Sequence, residues 1–142
     1  MKRTAALEGL SRDHHLALVV AQKLERATVD TAPMARQAFL SYWAGEGRHH
    51  LRSEDEVLLP ASARYIDARD ERVVRVLVDH VDLRRRAADL ETGTDLPLHQ
   101  IRALGELLRS HVRHEERVLF PLIEQAVPEP ELAALTTELA DA

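Results

Sequence analysis

The sequence predicts an all-α protein, an up-down-up-down four-helix bundle with a short C-terminal helix, and three observations point there. Leu, Ala, Arg and Glu dominate a chain of 142 residues that has only five glycines and 4% aromatics, a mix that favours helix over sheet. Apolar side chains recur at three- and four-residue intervals through four stretches separated by short turn signals. Two eleven-residue stretches, 50–60 and 111–121, are near-copies 61 positions apart. They read His-Leu-Arg-Ser-Glu-Asp-Glu-Val-Leu-Leu-Pro and His-Val-Arg-His-Glu-Glu-Arg-Val-Leu-Phe-Pro, and six of the eleven positions match. A His followed four residues later by a Glu puts both on one helical face, one turn apart.

The elements follow in order. Ser11 or Asp13 can cap a first helix running to about Ala27, with Leu7, Leu10, His14, Ala17, Leu18, Ala21 and Leu24 on one stripe. Thr31 and Pro33 start a second helix, since proline is welcome in a first turn. Phe39, Trp43, Glu46, His50, Glu54 and Val57 are its expected inward face, and Pro60 is expected to kink or stop it. A third helix is expected from about Ala68 to Leu90, with Val73, Val76, Leu77, His80, Leu83 and Ala87 inward. The turn Thr92-Gly93-Thr94-Asp95 follows, Gly93 serving as the stop. Asp95 and Pro97 open a fourth helix that reaches Pro121 or slightly beyond, with Ile101, Leu104, Leu107, Leu108, His111, Glu115, Val118 and Leu119 inward. Beyond Pro128 and Pro130, a short helix is expected to pack outside the bundle. No linker or low-complexity stretch divides the chain, so residues 1–142 read as one domain, with the bundle over about 7–125 and an extension over 126–142.

Composition narrows the function. The formal net charge of −5 argues against broad attraction to nucleic acid. Cysteine is absent, which removes disulfides, thiolate zinc, iron–sulfur clusters and a cysteine nucleophile. No stretch approaches transmembrane length, and the first residues lack the apolar run of a signal peptide, so a cytoplasmic location away from membranes is expected.

Of the eight histidines, all but His99 are clustered. At a rise of ~1.5 Å per residue, His14 lies roughly 20 Å before the first turn and His50 roughly 25 Å after it. The same count brings His80 and His111 to that level, within about one turn, and each sits on an otherwise apolar stripe. A lone His on such a stripe is ordinarily a hydrogen-bonded core residue. Four at one level, with Glu54 and Glu115 buried among them, would weaken a core unless the carboxylates are paired or bind metal. Four neutral imidazoles and two carboxylates suit a pair of borderline transition ions. If both Glu bridge, each ion receives two nitrogens and two oxygens and keeps open positions for a solvent-derived bridge and an exogenous ligand.

This pattern resembles the hemerythrin-like, or HHE cation-binding, domains: one His on the first helix, His-x-x-x-Glu on the second, one His on the third and His-x-x-x-Glu on the fourth. The matching residues are His14, His50 with Glu54, His80, and His111 with Glu115, over about 7–125. The resemblance implies a four-helix bundle holding two iron ions in an oxo- or hydroxo-bridged (Fe–O–Fe) centre. Oxygen carriers of this family have a fifth His one turn after the third-helix His, where this chain has Arg84. The resemblance therefore implies reaction with a small oxidant (peroxide, dioxygen or nitric oxide) rather than reversible oxygen carriage. A catalase- or peroxidase-like oxidoreductase activity is left open, as is a sensor or metal-binding module without turnover. The carriers' acidic residue five positions after the last motif His corresponds to Glu116; the stripe prefers Glu115 as the bridge.

Further residues compete for places near the site. His15 and His49 point about 100° away from their neighbours, toward the surface or a supporting layer. His114, one turn from His111, can line the edge. Glu46 can be an extra ligand, an orienter of an imidazole or a partner for Arg84. Asp13, Asp79 and Asp82 read as caps or solvated charges, and Tyr42, Trp43 and Tyr65 as packing, although a tyrosine near iron can donate to a bound oxygen species.

Overall fold

The computed structural model describes residues 3–93 and 95–142, so Thr94 of the expected turn lies outside the described residues. Among the described residues there are five helices and no strand: α1 (Ala5–Glu25), α2 (32–62), α3 (Glu71–Glu91), α4 (98–126) and α5 (Glu129–Asp141). No helix among them is long and apolar enough to cross a membrane.

α1 begins at Ala5, after an extended Thr4, and not at Ser11 or Asp13. The apolar stripe already claims Ala6, Leu7 and Leu10, all buried, and packing overrides a local capping preference. α3 starts at Glu71, three residues after the expected Ala68. Asp70 caps it, Oδ1 accepting the Arg72 backbone N–H at 2.9 Å. It ends at Glu91, and Gly93, two residues on with a φ of +82°, is the left-handed stop the sequence suggests. Leu77 of the expected inward stripe is exposed.

Pro60 does not stop α2, which continues to Ser62, and α4 runs through Pro121 to Ala126. Each proline follows a widened, π-type turn, Glu54–Leu58 in α2 and Glu115–Leu119 in α4. There the Leu59 N–H reaches back five residues to the Glu54 carbonyl, and the Phe120 N–H to that of Glu115. Proline has no N–H to give and its ring crowds the carbonyl four residues back; a wider turn just before it relieves that crowding without breaking the helix. Such turns cluster at functional sites, and here each begins on a candidate carboxylate.

Two apolar cores lie on either side of one polar layer. The first holds Val20, Leu24, Phe39, Trp43, Leu51, Leu83, Leu90, Leu104 and Leu108 among others. The second holds Leu7, Leu10, Leu58, Val73, Val76, Leu119, Phe120 and Ile123. Along α1 and α3 the second core comes first; along α2 and α4 the order is reversed. His14, Glu54, His80 and Glu115 fall at the changeover on their four helices. α5 packs outside, on α1 and the Glu54–Leu58 turn. α1 and α4 approach closely at Gly105, where a Cβ would stand 2.7 Å from the Ala21 carbonyl oxygen and 2.8 Å from the Glu25 nitrogen.

Candidate metal centre

The polar layer is a sealed cluster. Glu54 and Glu115 have no solvent exposure at all, and His14, His50, His80 and His111 are each 4% exposed or less. The imidazoles form two pairs, His14 with His50 and His80 with His111, each with ring centroids 4.9 Å apart.

The two carboxylates span the pairs. Glu115 Oε1 lies 2.9 Å from His14 Nε2 and 3.7 Å from His50 Nε2. Its Oε2 lies 3.4 Å from His111 Nε2 and 3.8 Å from His80 Nε2. Glu54 mirrors it, with Oε2 3.3 Å from His50 Nε2 and Oε1 3.1 Å from His80 Nε2. Two four-residue groups result, His14/His50/Glu54/Glu115 and Glu54/His80/His111/Glu115, each with ligand atoms within 4.8 Å of one another.

Each imidazole is held from behind by a carboxylate at Nδ1. His50 donates to Asp13 at 3.0 Å, His80 to Asp55 at 2.7 Å, His111 to Asp79 at 3.0 Å and His14 to Glu116 at 2.9 Å. A carboxylate only accepts, so Nδ1 carries hydrogen and Nε2 faces inward. The ring closes on itself: an acid on α1 serves α2, one on α2 serves α3, one on α3 serves α4, and one on α4 serves α1. Behind it, Arg84 Nη1 pairs with Asp55 Oδ2 at 2.6 Å, and Ser11 Oγ donates to Glu116 at 2.8 Å.

Several expected residues stand elsewhere. Glu46 is exposed, not inward. The widened turn Trp43–Gly47 advances the phase, so Gly47 faces inward in its place. Arg84 does not meet Glu46 and touches no member of the cluster; it acts on Asp55. His114 is buried but points away, its Nε2–H donating to the Arg72 carbonyl at 2.8 Å. That bond ties α4 to the start of α3. His15 and His49 are exposed. Glu116 holds His14, while Glu115 occupies the spanning position. Sequence reasoning missed Asp13, Asp55 and Asp79 as imidazole partners. The available signal was a pair of doublets, Asp-His at 13–14 and 79–80, and Glu-acid at 54–55 and 115–116.

The electrostatics describe a hole for positive charge. Burial disfavours charged imidazole, but the surrounding carboxylates outweigh it. His80 is pushed up to about 11 and His111 to about 9, and His14 and His50 are raised too. Glu115, despite a burial that opposes ionisation, is held well below the usual carboxylate range by His111, His14 and His50. Burial pushes the Tyr42 phenol up to about 12, with Glu54 and Glu115 adding to the effect.

Hydrogen bonds do not satisfy the layer. His50 Nε2, His80 Nε2, His111 Nε2, both Glu54 oxygens and Glu115 Oε2 are buried without a hydrogen-bond partner. Each such atom costs about 1–3 kcal/mol if left bare. Six of them, shared between the two groups, fit cation binding.

An all-helical fold with a buried imidazole–carboxylate cluster defines a class, the metal-cation-binding helical proteins. Within that class the hemerythrin HHE cation-binding domain model matches residues 5–123. The chain belongs to that family. No curated protein and no solved structure matches it.

Proposed function

We propose that the protein holds two iron ions between His14, His50, Glu54, His80, His111 and Glu115, in an up-down-up-down bundle, and that it binds or turns over a small oxidant such as peroxide, dioxygen or nitric oxide. The observation that carries this reading is the placement of Glu54 and Glu115, each with one oxygen toward each imidazole pair. A single ion would use one group and leave the other pair of imidazoles bare; two ions use all six side chains. Iron held by these residues would supply electrons to, or take them from, a small oxygen- or nitrogen-containing ligand.

The chain's own residues do the rest. His14, His50, His80 and His111 offer Nε2 because Asp13, Asp55, Asp79 and Glu116 fix the other ring nitrogen. These outer carboxylates also answer the positive charge left after Glu54 and Glu115 have neutralised part of it. Leu10, Leu58, Leu51 and Leu108 belong to the apolar cores on the two sides of the layer, and they exclude bulk water and bulky substrates. Burial, with Glu54 and Glu115 adding to it, keeps the Tyr42 phenol protonated. With Arg84 tied to Asp55, no fifth imidazole completes the coordination, which favours reaction over storage.

Metal content and the visible spectrum test this directly. Close to two irons per chain and near-ultraviolet charge-transfer bands are expected. Zinc alone, or one ion per chain, would overturn it. Adding peroxide to the ferric protein then separates oxygen release from oxidation of an added reductant or simple binding.

A further inference from the structure

α3 is apolar on two faces. Its inner face carries Val73, Val76, His80, Leu83 and Ala87. Its outer face carries Val74, Leu77, Val78 and Val81, which are 41%, 39%, 59% and 68% exposed. These are four of the nine exposed large hydrophobic side chains among the described residues, gathered within eight positions. The spacing of three and four makes them one continuous stripe. Valine is a poorer helix former than Ala, Leu, Arg or Glu, because its branched side chain loses rotamers against the preceding turn. A solvated helix face gains nothing from three of them. The stripe has the character of a face that is covered.

We infer that this face is covered by the same face of a second copy of the chain, the two α3 helices running antiparallel about a two-fold axis between Leu77 and Val78. The stripe is symmetric about that point: Val74 meets the partner's Val81, and Leu77 meets the partner's Val78. The flanking charges select the occupant. Glu71 lies one turn before the stripe and makes no ion pair among the described residues, and Arg85 lies one turn after it, 71% exposed at the side chain and paired at 3.6 Å with the exposed Asp89 of its own helix. An antiparallel copy brings Glu71 to within one residue, ~1.5 Å, of the level of the partner's Arg85, within reach of that long side chain, and the symmetry repeats the pair. A parallel copy sets Glu71 beside Glu71 and Arg85 beside Arg85, so the charge pattern rejects it.

The test is sedimentation of the metal-loaded protein over a wide range of concentration. A dimer of 16.0 kDa chains is expected. The double variant Val78→Asp, Val81→Asp is expected to be a monomer with unchanged helix and metal content, since both side chains lie outside the core. Glu71→Arg and Arg85→Glu should each weaken the dimer by about ten-fold, and the two together should restore it, which a nonspecific sticky patch does not do. A wild-type monomer at every concentration, or a dimer indifferent to Val78→Asp, Val81→Asp, overturns the inference. So does a dimer in which the combined charge swap gives no rescue. The metal reading stands or falls separately, on the metal content.

Discussion

Asp55 accepts the Nδ1–H of His80 at 2.7 Å while its other oxygen holds Arg84 at 2.6 Å. The pair fixes which nitrogen of a buried imidazole faces the candidate site, and the guanidinium holds the carboxylate in place. Carboxylates behind metal-binding imidazoles orient the ring and raise its basicity. Asp55→Ala is therefore expected to lower metal affinity about 10–100-fold, with Asp55→Asn intermediate. Arg84→Ala, one contact further out, should lower it less. Competition against a chelator measures both, and equal affinity in Asp55→Ala and wild type would sever the proposed link.

The spanning role of Glu54 and the inward Nε2 of His111 make a sharper contrast. Glu54→Ala or His111→Ala should lose metal, because each removes a donor that no neighbour can replace. His15→Ala should change nothing, since that side chain is exposed. His114→Ala should keep metal yet lower stability by about 1–3 kcal/mol, because a buried side chain and its hydrogen bond to the Arg72 carbonyl are both lost. Metal loss from His114→Ala would place that residue in the site after all. Metal content and thermal unfolding of the four variants decide it.

Much of this arrangement is legible in the sequence, and the illegible part has a common cause. His14, His50, Glu54, His80, His111 and Glu115 sit on apolar stripes, where one helix's periodicity is enough to mark them as inward. Asp13, Asp55 and Asp79 sit one residue off a stripe, about 100° around the helix. What they touch lies on the next helix, and no single-helix pattern carries that. Glu46 fails for a different reason: a widened turn at Trp43–Gly47 shifts the phase, and a fixed period of 3.6 cannot register the shift. Pro60 misleads in the same way, since the turn that accommodates it is invisible in its own residue type.

Gly105 leads to a stability prediction that does not touch the metal. Elsewhere in a helix Gly→Ala gains about 0.5–1 kcal/mol from reduced backbone freedom. Here the new methyl meets the Ala21 carbonyl and the Glu25 nitrogen, both backbone atoms under 3 Å away. α1 must move off α4 to admit it. A net loss of about 1–3 kcal/mol is expected in Gly105→Ala by chemical denaturation. A gain in stability would mean that the two helices pack less tightly than the geometry states.

The ionisation of the layer predicts different pH behaviour for the metal-free and metal-loaded protein. In the metal-free protein His111 and His80 are raised from 6.5 to about 9 and about 11, so they stay protonated at neutral pH. A raised folded value stabilises the fold fully below 6.5, and the contribution is lost as pH climbs through the folded values, between about 9 and 11. Glu115 works in the other sense. Its lowered value stabilises above the usual 4.5, and that contribution disappears as acid protonates it. The metal-free melting temperature should therefore fall on going from pH 8 to 11. Bound metal requires neutral imidazoles, so the loaded protein gains nothing from those protons and loses nothing with them over that range. Loading must then expel protons at neutral pH, and metal affinity must fall as the solution is acidified. Titrating metal into the weakly buffered apoprotein under a pH-stat reads the expelled protons directly. Uptake with no proton release would show that the imidazoles were already neutral, and the charge balance of the empty layer would need another explanation.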